Sequence, residues 1–387
     1  MTAIDVPEPA FMQDEDVRMF HDAVGTFLDR AVDEKRIAQW RADGQVEREF
    51  WREAGQAGLL GVSVPAEYGG HGGDFRHDLV VVDQVARKGV DGFAASLHNV
   101  IVTPYIQLHG TEQQKRRWLP GLVSGERVAA IAMSEPGAGS DLQAIRTTAL
   151  RDGNGYRLNG SKTFISNGQI ADLIVVVAKT DPSEGARGTS LIVIETEGLE
   201  GFSRGRKLDK IGLEAQDTSE LFFDDVFVPA DNLLGGEEGR GFIQLMAELP
   251  RERLIIAVGS MIGIEKALET TIDYVKQRQA FGQAIIAFQN TQFTLAELKA
   301  KATMAKVFVN DCIARELART LDVTTASIAK LLVTELQGEV VDKCLQLHGG
   351  WGYINDYPIA RMYRDARVSR IFGGSNEIMK LIIARSL

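Results

Sequence analysis

The stretch "TTALRDGNGYRLNG", Thr147 to Gly160, decides the architecture. Apolar and polar residues alternate into Asp152-Gly153-Asn154-Gly155, and alternation resumes at Tyr156 and Leu158. That pattern predicts two strands joined by a tight turn. Downstream, "DLIVVVAKT" (172–180) and "SLIVIET" (190–196) are short apolar runs bounded by turn residues, and "SELFFDDVFVP" (219–229) ends at a proline. Strand follows strand without an intervening helix from about Ala129 to Gly235. The expected fold there is an antiparallel sheet, a small barrel or sandwich, and not a parallel nucleotide-binding sheet.

On both sides the period changes to that of a helix. In "DVRMFHDAVGTFLDRAV" (16–32), Val17, Phe20, Val24, Phe27 and Leu28 share one face. Thr111 and Gln114 form a capping-box pattern. Beyond Gly239, three long amphipathic runs follow, at 253–279, 290–317 and 325–350. They predict a helical bundle of the four-helix type, with Pro250 in the first turn of its first helix. The expected fold class is therefore α+β with three domains: helices over 1–128, a β domain over 129–238, and a helical bundle over 239–387.

Composition narrows the function. The chain has 387 residues, 44% hydrophobic and 25% charged, with a formal net charge of −10. That acidity argues against a nucleic-acid partner. Cys312 and Cys344 build no disulfide framework and no zinc spacing, so no metal is expected. No apolar run is long enough to span a membrane. The acidic, Pro-interrupted start reads as neither leader nor transit peptide, and the terminal Arg-Ser-Leu lacks the basic centre of a peroxisomal address. A cytoplasmic location is expected.

Four motifs could carry chemistry. "AMSEPGAGSD" (132–141) has small residues whose backbone N–H groups can approach a flat ring or a pyrophosphate, though a Pro-Gly turn explains it equally well. In "GSKTFISNG" (160–168), Phe164 and Ser166 fall on one strand face, where an aromatic and a hydroxyl suit a heteroaromatic ring; an ordinary strand is the alternative. "KQRQAFGQ" (276–283) ends a long helix with cations that suit its dipole or reach a pyrophosphate. "QLHGGWGYINDYPIARMYRDAR" (346–367) is a C-cap and packing corner, or a lid over an adenine.

Together with "GGSNEI" (373–378), these motifs resemble the acyl-CoA dehydrogenase family over essentially the whole chain. "ELPRERL" (248–254) and "FGGSNEIM" (372–379) are similar to its long-chain type. The resemblance implies FAD between the β domain and the C-terminal bundle. Met133, Ser134, Phe164 and Ser166 would face the flavin, and Ser140 its phosphate region. Arg278, Phe281, Gln289, Gln346, Gly349 and Gly350 would reach a neighbouring subunit's cofactor, which implies at least a dimer and usually a tetramer. Ser375 and Glu377 would complete the cofactor site. Ser140, Arg253 and Phe372 would contact the substrate.

The implied reaction is α,β-dehydrogenation of an acyl-CoA thioester to the trans-2-enoyl-CoA, with electrons passed to an electron-transfer flavoprotein. The thioester oxygen would accept from the Gly373 N–H. Many members of the family carry the catalytic carboxylate at the position of Gly373. Here it is absent, and Glu252 matches the alternative base of long-chain and isovaleryl types, with Glu248 in reserve. A first-turn acid favoured by the helix dipole is the structural alternative for Glu252. An O2-using oxidase and an inactive paralogue are the alternative functions.

Overall fold

The computed structural model describes residues 3–90 and 92–387. The chain divides into two compact units. One comprises residues 16–210 and 214–248; the other comprises the segment up to Glu15, residues 211–213 and residues 249–387.

In the first unit, six α-helices precede the sheet among the described residues: α1 (Glu15–Ala31), α2 (Glu34–Asp43), α3 (Arg48–Gln56), α4 (Phe75–Lys88), α5 (Thr103–His109) and α6 (Glu112–Val123). The capping box at α6 is formed, with Thr111 Oγ1 accepting from the Gln114 N–H and Gln114 Oε1 accepting from the Thr111 N–H. The sheet holds β1 (Ala129–Ala132), β2 (Thr148–Asp152), β3 (Gly155–Ser166), β4 (Leu173–Lys179), β5 (Thr189–Glu195), β6 (Phe202–Lys207) and β7 (Thr218–Pro229). β2 and β3 form the expected hairpin, with Asp152 opposite Gly155.

The pairs β2–β3, β3–β7, β6–β7 and β4–β5 are antiparallel. The expectation of a purely antiparallel sheet needs correction at β4, which runs parallel to β1 and, at Thr148–Lys179, parallel to β2. The cause is the chain path: the β2–β3 hairpin is inserted between β1 and β4, so β4 returns in the direction of β1. Every residue of β4 is buried, as expected of a strand covered on both faces. Leu173, Val175 and Val177 pack with Trp118, Leu119 and Leu122 of the helices. Ile174, Val176 and Ala178 pack inside the curled sheet with Tyr156, Leu158 and Leu221. His98 ties the two layers: its Nε2 lies 3.0 Å from Leu122 O, and its Nδ1 accepts from the Ala129 N–H. Complete burial pushes its pKa down to about 4, so the ring is neutral.

In the second unit, the bundle contains the C-terminal part of α7 (Gly241–Gln277), then α8 (Gln289–Leu317), α9 (Val323–His348), α10 (Pro358–Ala366) and α11 (Asn376–Ala384). α8, α10 and α11 all pack on α9. A short hairpin, β8 (Gln279–Ala280) and β9 (Gln283–Ala284), follows α7. α7 starts at Gly241, so Pro250 lies inside the helix and not in its first turn. The buried Leu245 and Leu249 extend the helical period upstream of the proline. Glu252 is thus well past the first turn, where the dipole explanation offered by the sequence no longer applies.

Candidate active site

A first group of candidate residues is built on the sheet. After β1 the chain enters the loop of Met133 to Ser140. Lys162 on β3 is fully buried and holds this loop, donating to Met133 O at 3.0 Å and to Glu135 Oε1 at 2.8 Å. Glu135 also accepts from the N–H groups of Arg146 (2.7 Å) and Thr147 (3.0 Å). The Thr163 N–H donates to Ser134 O. Burial opposes the charge on Glu135, but Lys162 and these donors hold its carboxyl below the usual range. Burial pulls Lys162 down to about 8, and Glu135 opposes that fall.

Directly after Lys162 the register of β3 against β7 slips. Phe164 takes a left-handed φ of 61°, rare for a bulky residue, and the residue is 68% exposed. The bulge aims an aromatic face outward, as a stacking platform needs. It also breaks the simple alternation on which the shared face of Phe164 and Ser166 was expected; Ser166 is half-buried. Met133 and Ser134 are half-buried and Ser140 is exposed. A Cβ added at Gly137 or Gly139 would meet nothing within 4 Å, so the loop backbone is open to close approach.

A second group lies in the bundle. Glu252 and Arg253 are both buried, at 5% and 4% exposure. Burial pulls the Arg253 guanidinium below its ordinary value, and Glu252 opposes that shift. Arg253 Nη1 lies 3.3 Å from Ser327 Oγ on α9. Gly373 and Gly374 both have left-handed φ, 63° and 88°. A Cβ on Gly373 would fall 2.3 Å from Cδ1 of Ile256. Ile256 is four residues after Glu252, so both side chains leave α7 on the same face. The space beside Gly373 is therefore taken by Ile256, and the nearest turn of the same helix face carries a buried carboxylate. Phe372 is 43% exposed, Ser375 is half-buried and Glu377 is exposed. The carboxyl of Glu377 is held below its usual range by its own backbone N–H and by Ser375.

Lys330 on α9 belongs to this second group. It is fully buried and donates to Gly374 O at 2.9 Å and to Asn376 Oδ1 at 2.7 Å. Neither it nor the Lys162–Glu135 pair was singled out from the sequence. The signal was present: Lys330 falls on the buried stripe of Ala326, Ala329 and Val333, and Lys162 continues the inward alternation of Tyr156 and Leu158. A lysine at a core position is the cue.

A third group of expected residues lies at the other end of the bundle. Arg278 and Gln289 are exposed. Phe281 sits at the tip of the β8–β9 hairpin with φ 52° and is 96% exposed. Gln346, Gly349 and Gly350 end α9 and are exposed too. Tyr274 joins the two stretches, stacked on His348 with ring centroids 4.2 Å apart. Along α7, Glu252 and Arg278 are separated by ~39 Å at the helical rise, so this group and the Glu252 group do not meet within the bundle.

The reserve carboxylate Glu248 is engaged elsewhere, 2.9 Å from His109 Nε2. Gly92 and Phe93 belong to the packed core: a Cβ on Gly92 would meet Ala215, and Phe93 packs edge-on against Phe50 and Trp51. Asp91 of that stretch lies outside the described residues. Among the described residues no cluster of His, Cys, Asp or Glu could hold a metal, and no helix is long and apolar enough to cross a membrane.

Three family models cover the chain: acyl-CoA dehydrogenase N-terminal domain over residues 14–126, middle domain over 130–226 and C-terminal domain over 239–387. The long-chain specific acyl-CoA dehydrogenase of Sus scrofa mitochondria is 47% identical over 379 residues, 97% of this chain and 87% of the relative. The crystal structure of an acyl-CoA dehydrogenase from Geobacillus kaustophilus is 47% identical with a TM-score of 0.95, covering 98% of this chain and 99% of that one. A glutaryl-CoA dehydrogenase from Mycobacterium smegmatis, solved in complex with FADH2, is 26% identical with a TM-score of 0.90, covering 100% of this chain and 97% of that one.

Proposed function

We propose how this chain works from one premise: it belongs to the acyl-CoA dehydrogenase family, FAD-dependent oxidoreductases that dehydrogenate acyl-CoA thioesters in fatty-acid metabolism. Glu252 is the base that takes the α-proton. The observation that carries this is Ile256 filling the position beside Gly373, which leaves the buried Glu252 as the carboxylate on that helix face. The Gly373 N–H donates to the thioester oxygen as negative charge develops there, where a fixed donor is worth most. Its left-handed backbone and the Ile256 contact keep the position free of a side chain.

The residues of the sheet loop fit a flat cofactor ring. Met133 and Ser134 are pinned by Lys162 and Thr163, the exposed Phe164 offers a stacking face, and Ser166 offers a hydroxyl. The open backbone at Gly137 and Gly139 suits close approach, and Ser140 lies at its end. Bound FAD supplies the acceptor for the hydride that leaves the β-carbon. Ser375 and Glu377, at the start of α11, are the bundle residues that the family resemblance assigns to the cofactor. Arg253 and Phe372 line the substrate side.

Arg278, Phe281, Gln289, Gln346, Gly349 and Gly350 lie too far along the bundle to share the Glu252 site. That separation supports their service to a second copy's cofactor, hence a homo-oligomer, a dimer of dimers. The acceptor of the electrons is an electron-transfer flavoprotein, as the family implies. Two free, buried thiols suit a reducing cytoplasm.

The preferred substrate is a long-chain acyl-CoA, in line with the name of the porcine relative. Turnover of saturated acyl-CoA thioesters from butyryl to palmitoyl, with trans-2-enoyl product quantified, tests this. The longer thioesters give the higher kcat/KM. A maximum at butyryl-CoA contradicts the long-chain assignment, and absence of enoyl product from every thioester contradicts the reaction.

A further inference from the structure

Lys330 is buried, and among the described residues no carboxylate accepts a hydrogen bond from it. Its two acceptors, Gly374 O and Asn376 Oδ1, are both uncharged. The charged groups that face it are Arg253 from α7, Glu335 from α9 and Glu377 from α11. Burial first, and then repulsion by Arg253, pull its pKa down to about 8. Glu335 is engaged by the Asn376 amide at 2.7 Å and by Arg370 at 3.3 Å, and Glu377 is exposed. A buried cation lowers stability unless it is well compensated, and an apolar side chain of similar length serves packing better. Lys330 nonetheless grips the carbonyl of the residue directly after Gly373.

The carboxylate nearest in sequence to Arg253 is Glu252, and the two interact electrostatically. Two buried cations thus divide the site. Arg253 favours charge on the Glu252 carboxylate, and Lys330 favours charge at the glycine turn. When the α-C–H bond breaks, its proton passes to the Glu252 carboxylate and its electron pair enters the enolate. The negative charge then moves from the carboxylate to the thioester oxygen held by the Gly373 N–H. A cation fixed on the turn lowers the energy of the second arrangement relative to the first.

We propose that Lys330 is a positioning residue for proton abstraction, fixing the glycine turn and supplying through it a positive charge that no hydrogen-bonded carboxylate neutralises and that favours the enolate. The proposal rests on the assignment of Glu252 as base and of Gly373 as donor. It adds a residue that acts through Gly374 and Asn376.

The test moves one carboxylate without changing net charge. Asn376→Asp combined with Glu335→Gln places a carboxylate against the Lys330 ammonium, and the new amide restores a donor where Asn376 Nδ2 bonded Glu335. The probe is a 3-oxoacyl-CoA, whose α-carbon ionises to a coloured enolate without being oxidised. In the holoenzyme, the enolate fraction at fixed pH falls about tenfold in the swapped variant, for a Coulombic change of about one pKa unit. kcat falls with it, KM holds, and melting temperature is unchanged or raised. An unchanged enolate fraction and kcat would overturn the proposal and leave Lys330 a structural residue.

If the swapped variant does not fold, Lys330→Arg and Lys330→Met decide. The arginine variant, which keeps the charge, retains clearly more enolate than the methionine variant, and equal losses overturn the proposal. Glu252→Gln separates this claim from the base. That substitution stops turnover, whereas the effect of the carboxylate swap on the bound enolate remains, because it depends on Lys330.

Discussion

Lys162 and Lys330 take the same hold on two different loops. Each is fully buried, and burial pulls each down to about 8. Each donates to a backbone carbonyl and to the side-chain oxygen two residues later: Met133 and Glu135 for Lys162, Gly374 and Asn376 for Lys330. The difference is the charge of the second partner. Glu135 neutralises Lys162, so that pair acts as a staple on the loop of Met133 to Ser140. Asn376 leaves Lys330 positive, so the second hold also projects a field onto the turn that carries the Gly373 N–H. The same geometry serves shape in one region and chemistry in the other.

The largest way to break this comparison is Lys162→Met. It strands the Glu135 carboxylate in the core, and removing one partner of a buried pair costs about 3–5 kcal/mol. Denaturant unfolding of the apoprotein reads the loss, and FAD affinity falls with the loop. Lys330→Met strands no carboxylate in the core. Its stability cost is expected at about 1–2 kcal/mol, against a fall in kcat of about tenfold. If the two methionine variants lose equal stability, the distinction between staple and field fails.

Gly373→Ala sharpens the second region. It puts a Cβ into the left-handed backbone and 2.3 Å from Ile256, so a loss of about 1–3 kcal/mol is expected. Adding Ile256→Ala recovers the part due to the clash and not the part due to φ. Full recovery would show that backbone conformation at 373 matters little.

The smallest effect is in pH. Lys330 has a native pKa of about 8, below the ~10.4 of an unfolded lysine. Between these values the unfolded chain binds more protons than the folded one, so this group makes stability rise with pH. Turnover moves the other way, because the charge at the turn is lost above about pH 8. The difference between wild type and Lys330→Met, followed by unfolding and by kcat from pH 7 to 10, isolates the group. Parallel trends would contradict its double role.

Much of this was legible in the chain. The hairpin around Asp152–Gly155 and the capping box at Thr111 are local, set by turn and cap chemistry within a few residues, and both formed. The long amphipathic helices were legible for the same reason. The parallel pairing of β4 was not, because it depends on where the chain returns after a hairpin. Pro250 misplaced the start of α7, since a proline suits a first turn and is tolerated inside a helix only where tertiary packing compensates. At the candidate site, Glu252 and Gly373 were singled out by motif, whereas the approach of Ile256, an ordinary apolar residue, to Gly373 exists only in three dimensions. Lys162 and Lys330 were visible as charges on buried stripes, but their carbonyl partners are distant in sequence.

The central claim is that the base is Glu252, with Gly373 contributing only its backbone. The rate of flavin bleaching in Glu252→Gln holoenzyme mixed anaerobically with a long-chain acyl-CoA tests it most directly. FAD stays bound with an unperturbed spectrum, the thioester binds, and bleaching is slowed at least ~10³-fold, the scale of losing a positioned base. Bleaching at the wild-type rate would contradict the assignment.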